Sequence, residues 1–170
     1  MEALNRSDPG ESQCCRPYDE ISSRGIKTAA ILTNSFMLSG MPLTTAVPTG
    51  FIPTANAEAA RAFYEGTLEL RFVADEPFAL VFRLGPDPGS DLRIVRVGAK
   101  HQPVEFTIFG WEVAGIEQAV DELTAKGVQF RRYAGMEQDE RGIWHAPGRA
   151  KIAWFQDPDG NTLSLAEHSA

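Results

Sequence analysis

The chain has 170 residues, 43% of them hydrophobic, enough to bury one sizeable core and, at this length, to favour a single domain. A net charge of -7 and a pI near 5.0 exclude the broad basic surface that grips a phosphate backbone, so nucleic acid is not an expected partner. No apolar run approaches the ~20 residues that cross a bilayer, and no membrane partner is expected either. The two cysteines, Cys14 and Cys15, are adjacent, bridge only with strain and have no CxxC or His-rich spacing beside them. Neither a disulfide framework nor a zinc site follows, and a reducing cytoplasm is the default location.

Residues 1–45 mix Ser, Asp, Pro, Gly and both charge signs without sustained periodicity. The piece "GIKTAAILTNSFMLSG" has the look of a signal-peptide core, but Thr33, Asn34 and Ser35 interrupt it and its polar lead is long. Residues 1–45 are therefore read as a transit-like or disordered extension or as sequence upstream of the true start, with Met37 and Met41 as alternative starts. The patterned domain is expected over residues 46–170.

The first strand is "TGFIPT". "NAEAARAFYEGTL" follows as a helix with Asn56 at its N-cap and Ala59, Phe63 and Leu68 at roughly helical spacing. "ELRFVA", "FALVFRL" and, beyond the turn-rich "GPDPGSD", "LRIVRV" read as three more strands. The order then repeats. "EFTIFGWEV" is a strand, and "GIEQAVDELTAKG" a helix with Ile116, Ala119, Val120 and Leu123 on one face and Gly127 closing it. "VQFRRY" is a strand, "GIWHA" and "KIAWFQD" a hairpin across "PGR", and "NTLSLAE" the last strand. With Asn56 set against Gly115 the two halves, residues 46–103 and 104–170, overlay as βαβββ modules, the second carrying an insertion at residues 134–141. Neither half buries both faces of its sheet alone, so the two should pair into one α+β domain whose mixed sheets curl around one cavity.

Two βαβββ modules, the "AEAARAFYEGTLEL" helix after the first strand and "WFQDPDGNTLSL" at the end together resemble the vicinal oxygen chelate superfamily. That group holds glyoxalase I, extradiol dioxygenases, fosfomycin-resistance thiol transferases and the metal-free bleomycin-binding proteins. The resemblance implies paired half-cups lining one cavity and, by family habit, a homodimer. Metal-using members look alike at four places: a His or Gln in the first strand of each module and a Glu or similar in its last strand. Carried over, those places fall on Thr49, Ile94, Ile108 and Ser164. Two alkyl groups and two neutral hydroxyls are poor donors for Zn²⁺, Fe²⁺, Ni²⁺ or Mn²⁺, and the neighbours, Arg93 and Val95 among them, are no better. No divalent metal and no other cofactor is expected.

If those four positions point into the cavity, strand alternation adds Phe51 and Pro53, Leu92 and Arg96, Gly110 and Glu112, and Thr162 and Ala166 to its lining. Such a cup is largely apolar and suits a small organic molecule with a few polar atoms. Thr49, Phe51, Arg96, Ile108, Glu112 and Ser164 are its expected ligand contacts. Trp144, Trp154 and Phe155 add stacking surface unless they pack under a helix. Glu112 is the candidate general base or cation contact, its pKa raised by burial, or else a carboxylate that is solvated at the strand end or pairs with Arg96. His145, on the hairpin, is the second catalytic candidate, while His101 and His168 read as exposed. The acidic loop "AGMEQDERG" is either a lid or a solvated connector. Three functions are thus in view: a metal-independent small-molecule-binding protein, a lyase, dioxygenase or thiol transferase working through Glu112 and His145, and a non-catalytic accessory domain.

Overall fold

The computed structural model describes Leu43 and residues 46–168; the extension read at residues 1–45 otherwise lies outside them. The first module runs β1 (Thr49–Thr54), α1 (Ala57–Arg61), β2 (Arg71–Asp75), β3 (Ala79–Leu84) and β4 (Ser90–Arg96). The second runs β5 (Phe109–Glu112), α2 (Ile116–Ala125), β6 (Trp144–His145), β7 (Ala150–Gln156) and β8 (Thr162–His168). Each module folds into one four-stranded mixed sheet, in the orders β1-β4-β3-β2 and β5-β8-β7-β6, and neither sheet closes into a barrel. In both, the strand before the helix pairs in parallel with the last strand of the module, and the remaining pairs are antiparallel.

Local sequence explains both helices. Asn56, extended at φ -130°, accepts the Ala59 amide on its side chain (3.1 Å) and starts α1. After Arg61 the helix widens into a π segment over Ala62–Thr67, with the Leu68 amide reaching the Phe63 carbonyl five residues back. The sequence predicts one regular helix there, so the widening is a finding of the structure. At Gly115 the N-cap has no side chain, and the Glu167 carboxylate of β8 serves instead, accepting the Ile116 amide at 2.8 Å. Gly127 closes α2 at φ +91°, and the Val128 amide returns to the Leu123 carbonyl.

One core unites the modules. Ile52, Leu80, Phe82, Leu92 and Ile94 of the first sheet and Ala153, Phe155, Leu163 and Leu165 of the second pack with Ala60, Tyr64, Ile116 and Val120 of the helical segments. These residues mark the helix-covered face of each sheet, and their strand neighbours lie on the opposite, open face. Beta1 and β5 abut so closely that a Cβ on Gly50 would stand 2.6 Å from the Phe109 ring.

The "DPDGN" turn latches the halves together. Asp157, buried, accepts the Tyr64 hydroxyl (2.8 Å), the Asn161 side-chain amide (2.8 Å) and the backbone amides of Asp159 and Asn161. Asp159 accepts the Thr54 hydroxyl and the Ala55 amide, and Asn161 donates to the Pro53 carbonyl (2.8 Å). Burial and the Asp157 carboxylate push the Tyr64 hydroxyl far above its ordinary pKa, so it remains a proton donor throughout the working pH range.

One expectation about the second module gives way here. "VQFRRY" is not a strand: only Phe130 bridges Phe155, with the Arg131 amide donating to the Trp154 carbonyl (2.7 Å). Beyond that point the Gln138 side chain takes over the backbone groups that a ladder would use. It accepts the Tyr133 amide (2.7 Å) and donates to the Arg131 and Gly142 carbonyls (2.9 and 2.6 Å). The loop over residues 134–142 is further tied by Asp139, which accepts the Arg141 and Ile143 amides, and by the Arg141–Asp121 ion pair to α2. So many bonds make it a fastened connector.

Candidate functional site

Strand register decides which predicted residues meet. In the second sheet Gly110 pairs with Ser164, and Ser164 with Trp154; in the next row Glu112, Ala166, Ile152 and Trp144 lie side by side. Both rows occupy the open face, as expected for Ser164, Trp144 and Trp154. Ile108 shares that parity, half-buried at the start of β5, its amide bonded to the Thr162 carbonyl.

In the first sheet the expectation slips by one residue. Phe51 pairs with Arg93 and Ile52 with Ile94. Thr49, Phe51 and Pro53 therefore share the open face with Asp91, Arg93 and Val95, whereas Leu92 and Ile94 are fully buried beneath the helical segment. A one-residue shift in a strand moves every side chain to the other face. Arg96 moves with Ile94: it is tied to the Asp75 carboxylate (2.6 Å) and the Glu76 carbonyl and does not line the open face. Its predicted partner Glu112 is elsewhere.

Glu112 and His145 are not brought together. They sit on the two edge strands of the second sheet, separated by β8 and β7 and on opposite faces, since Trp144, not His145, shares the Glu112 row. Three strand spacings amount to about 14 Å. Glu112 is 57% exposed at its side chain and bonded to the backbone amide and the ring of His168, both at 2.7 Å. Those two bonds, the amide first, hold its carboxyl below the ordinary range instead of raising it. His145 is also exposed and lies 3.3 Å from Asp139. His101, read as exposed, is half-buried, with Nε2 2.9 Å from the Asp159 carbonyl.

The chemistry of the open face gathers around Trp154. Its indole nitrogen donates to the Thr107 hydroxyl (2.9 Å), so the side chain reaches across β8 toward the start of β5. Ser164, beneath it, is consequently only 8% exposed. A Cβ on Gly110 would stand 2.5 Å from the Ser164 hydroxyl, so the bare glycine makes the room that Ser164 uses. Tyr133 meets Trp154 edge-on at 5.5 Å and Trp144 lies tilted at 6.2 Å, forming a three-ring wall. Beside it opens a cavity of about 380 Å³, lined by Arg131, Tyr133, Gln156, Thr162, Val104 and Glu105. Arg131 and Tyr133 were missed by the sequence reading.

A sequence model of the Glyoxalase/Bleomycin resistance protein/Dioxygenase superfamily matches residues 44–165. The chain belongs to this superfamily. Solved structures agree on the fold. A glyoxalase family protein from Bacillus anthracis superposes with a TM-score of 0.58 at 18% identity, covering 73% of this chain and 95% of that one. A superfamily member from Sphaerobacter thermophilus gives 0.56 at 22%, covering 72% and 97%. The glyoxalase family protein from Enterococcus faecalis gives 0.56 at 19%, covering 74% and 100%. No curated protein matches the chain.

The metal ion used by many proteins of this superfamily can be tested against the residues present. Phe51 and Gly110 each precede their helix cap by five residues and pair with Arg93 and Ser164 respectively. The position equivalent to Ser164 is thus Arg93, not Ile94. The corrected set is Thr49, Arg93, Ile108 and Ser164: two hydroxyls, an alkyl group and a fixed positive charge. A guanidinium repels a cation, and none of the four supplies imidazole, thiolate or carboxylate. The site does not fit a divalent metal.

Proposed function

We propose that the chain is a metal-independent small-molecule-binding protein that holds an organic ligand against the aromatic wall on the open face of its second sheet. The observation that carries this reading is the pairing of a donor set unfit for a metal with a three-ring wall beside a cavity. The cavity volume falls within the range of small-molecule pockets. Tyr133, the ring of the wall that lines the cavity, supplies flat apolar surface; Gln156, Thr162 and Arg131 supply a few polar groups at its border. Support for a lyase, dioxygenase or thiol transferase is correspondingly small, because the proposed acid–base pair, Glu112 and His145, lies on opposite faces at opposite edges.

Two measurements test the reading together. Elemental analysis of protein purified without chelator should find no stoichiometric transition metal. Melting in the presence of Ni²⁺, Zn²⁺, Mn²⁺ or Fe²⁺ should stay unchanged, whereas an ion at 100 times its Kd would add about 2.7 kcal/mol. Titration with aromatic compounds should change the tryptophan fluorescence and raise the melting temperature. A bound stoichiometric ion, or no response to any aromatic compound, would overturn the proposal.

A further inference from the structure

Most arginines among the described residues are neutralised. Arg61, Arg71, Arg83, Arg93, Arg96 and Arg141 each pair with a carboxylate, and Arg132 donates to the Glu140 carbonyl. Among the described residues the guanidiniums of Arg131, Arg132 and Arg149 have no carboxylate partner, although acidic side chains outnumber basic ones 23 to 16, and of these Arg132 is held on a carbonyl. Arg149 sits at the exposed β6–β7 turn. Arg131 lines the cavity beside the aromatic wall, 5.9 Å from the centre of the Tyr133 ring. Its backbone is pinned by the Trp154 carbonyl, which fixes where the guanidinium starts.

Resting on the proposed function, we infer that the ligand of this cavity is a planar aromatic carboxylate whose acid group is read by Arg131 and whose ring lies against Tyr133. The guanidinium is a flat fork of donors that matches a carboxylate with two parallel hydrogen bonds. Tyr133, the aromatic residue of the lining, gives a flat surface for the body of the same molecule and is backed edge-on by Trp154 at 5.5 Å. Gln156, whose side-chain amide already donates to the Gly160 carbonyl at 3.0 Å, retains its oxygen and one N–H for a further polar group. Glu105 is the one carboxylate in the lining and forms no ion pair with Arg131. It stands as a like charge toward the ligand, disfavouring a second negative group, and its removal should strengthen binding of a monoanion.

The test is calorimetric titration of the full chain with 2-naphthoate, its uncharged amide and 2-naphthylmethylamine. Naphthoate should bind about tenfold or more tightly than the amide, the advantage expected of a charge-assisted pair, and the amine should bind worst. Arg131→Gln should erase the advantage of the acid over the amide while leaving the unfolding midpoint unchanged, because Arg131 is exposed and among the described residues its side chain forms no hydrogen bond or ion pair. Glu105→Gln should leave naphthoate binding equal or tighter. An amide or amine that binds as well as the acid, an acid preference that survives Arg131→Gln, or weaker acid binding in Glu105→Gln would overturn the inference while leaving a binding protein. Binding of none of the three would overturn the proposed function as well.

Discussion

The two modules place the same row of backbone at the centre of their sheets and fill it with opposite chemistry. In the first, Phe51, Arg93 and Val81 lie side by side, with Arg93 ion-paired to Glu76 and Phe51 62% exposed. In the second, Gly110, Ser164 and Trp154 lie side by side, with Ser164 covered and an unpaired Arg131 next in line. One row is closed on itself electrostatically and leaves its aromatic ring in water. The other packs its aromatic ring and leaves a charge available. Symmetry of backbone therefore does not carry over into symmetry of function, and a site built on repeated modules can belong to one of them.

The sharpest way to break this contrast is to truncate the ring in each row. Trp154→Ala removes the contacts to Tyr133 and Trp144 and the bond to Thr107, and should cost about 2–4 kcal/mol in urea unfolding and abolish aromatic binding. Phe51→Ala, by contrast, should stay within about 0.5 kcal/mol of the parent. Equal losses would show that the rows are not different in the way described.

A change at the latch should not discriminate between the modules, because it holds both. Tyr64→Phe leaves the buried Asp157 short of one donor and should destabilise by about 1–3 kcal/mol in a single cooperative transition. Two separated transitions would instead mean that the halves unfold independently.

Glu76→Gln sharpens the comparison at small cost. The Arg93–Glu76 pair is partly exposed, so its loss should be worth less than about 1 kcal/mol. It would leave Arg93 uncompensated beside Phe51, and weak naphthoate binding should then appear in the first row, detectable against Arg131→Gln as background.

Acid is the mildest probe. Glu112, Glu117 and Asp121 are each held below their ordinary range, by bonds from His168, Lys151 and Arg141 respectively. A carboxyl with a depressed folded-state pKa contributes stability fully above its unfolded value, near 4, and loses it as pH falls through the folded value. Melting temperature should therefore hold from neutrality to about pH 5 and decline below about pH 4. All three groups are exposed and add little each, so a fall already at pH 6 would point to a different group.

Most of the fold was legible because its signals are local. The first strand begins and ends where "TGFIPT" does, Asn56 caps as its side chain dictates, and Gly127 takes the positive φ its place predicts. What was not legible required partners distant in sequence. "LRIVRV" carries apolar residues on both parities, so only its parallel pairing with β1 shows that Ile94 is core and Arg93 is open. "VQFRRY" holds two adjacent arginines, and which of them faces the cavity depends on the contact between Arg131 and Trp154, 23 positions on. Glu112 is open in the sequence to two readings, a buried base or a strand-end carboxylate; it is the second, and its partner His168 comes within reach only through the pairing of β5 with β8.

The latch also bears on how the chain acquires its structure. Its contacts join residues separated by 93 to 108 positions, as in Tyr64 with Asp157 and Pro53 with Asn161. Closing so long a loop costs conformational entropy before any reward is collected, and topologies of this kind fold slowly. Either module can collapse around its own sheet earlier, since the strand partners within it are at most 54 positions apart, as in Gly110 with Ser164, about half the separation across the latch. The turn at residues 157–161 then acts as a late checkpoint: until it docks, Pro53, Thr54 and Tyr64 present unmatched polar groups, and a chain caught in that state is the one exposed to aggregation.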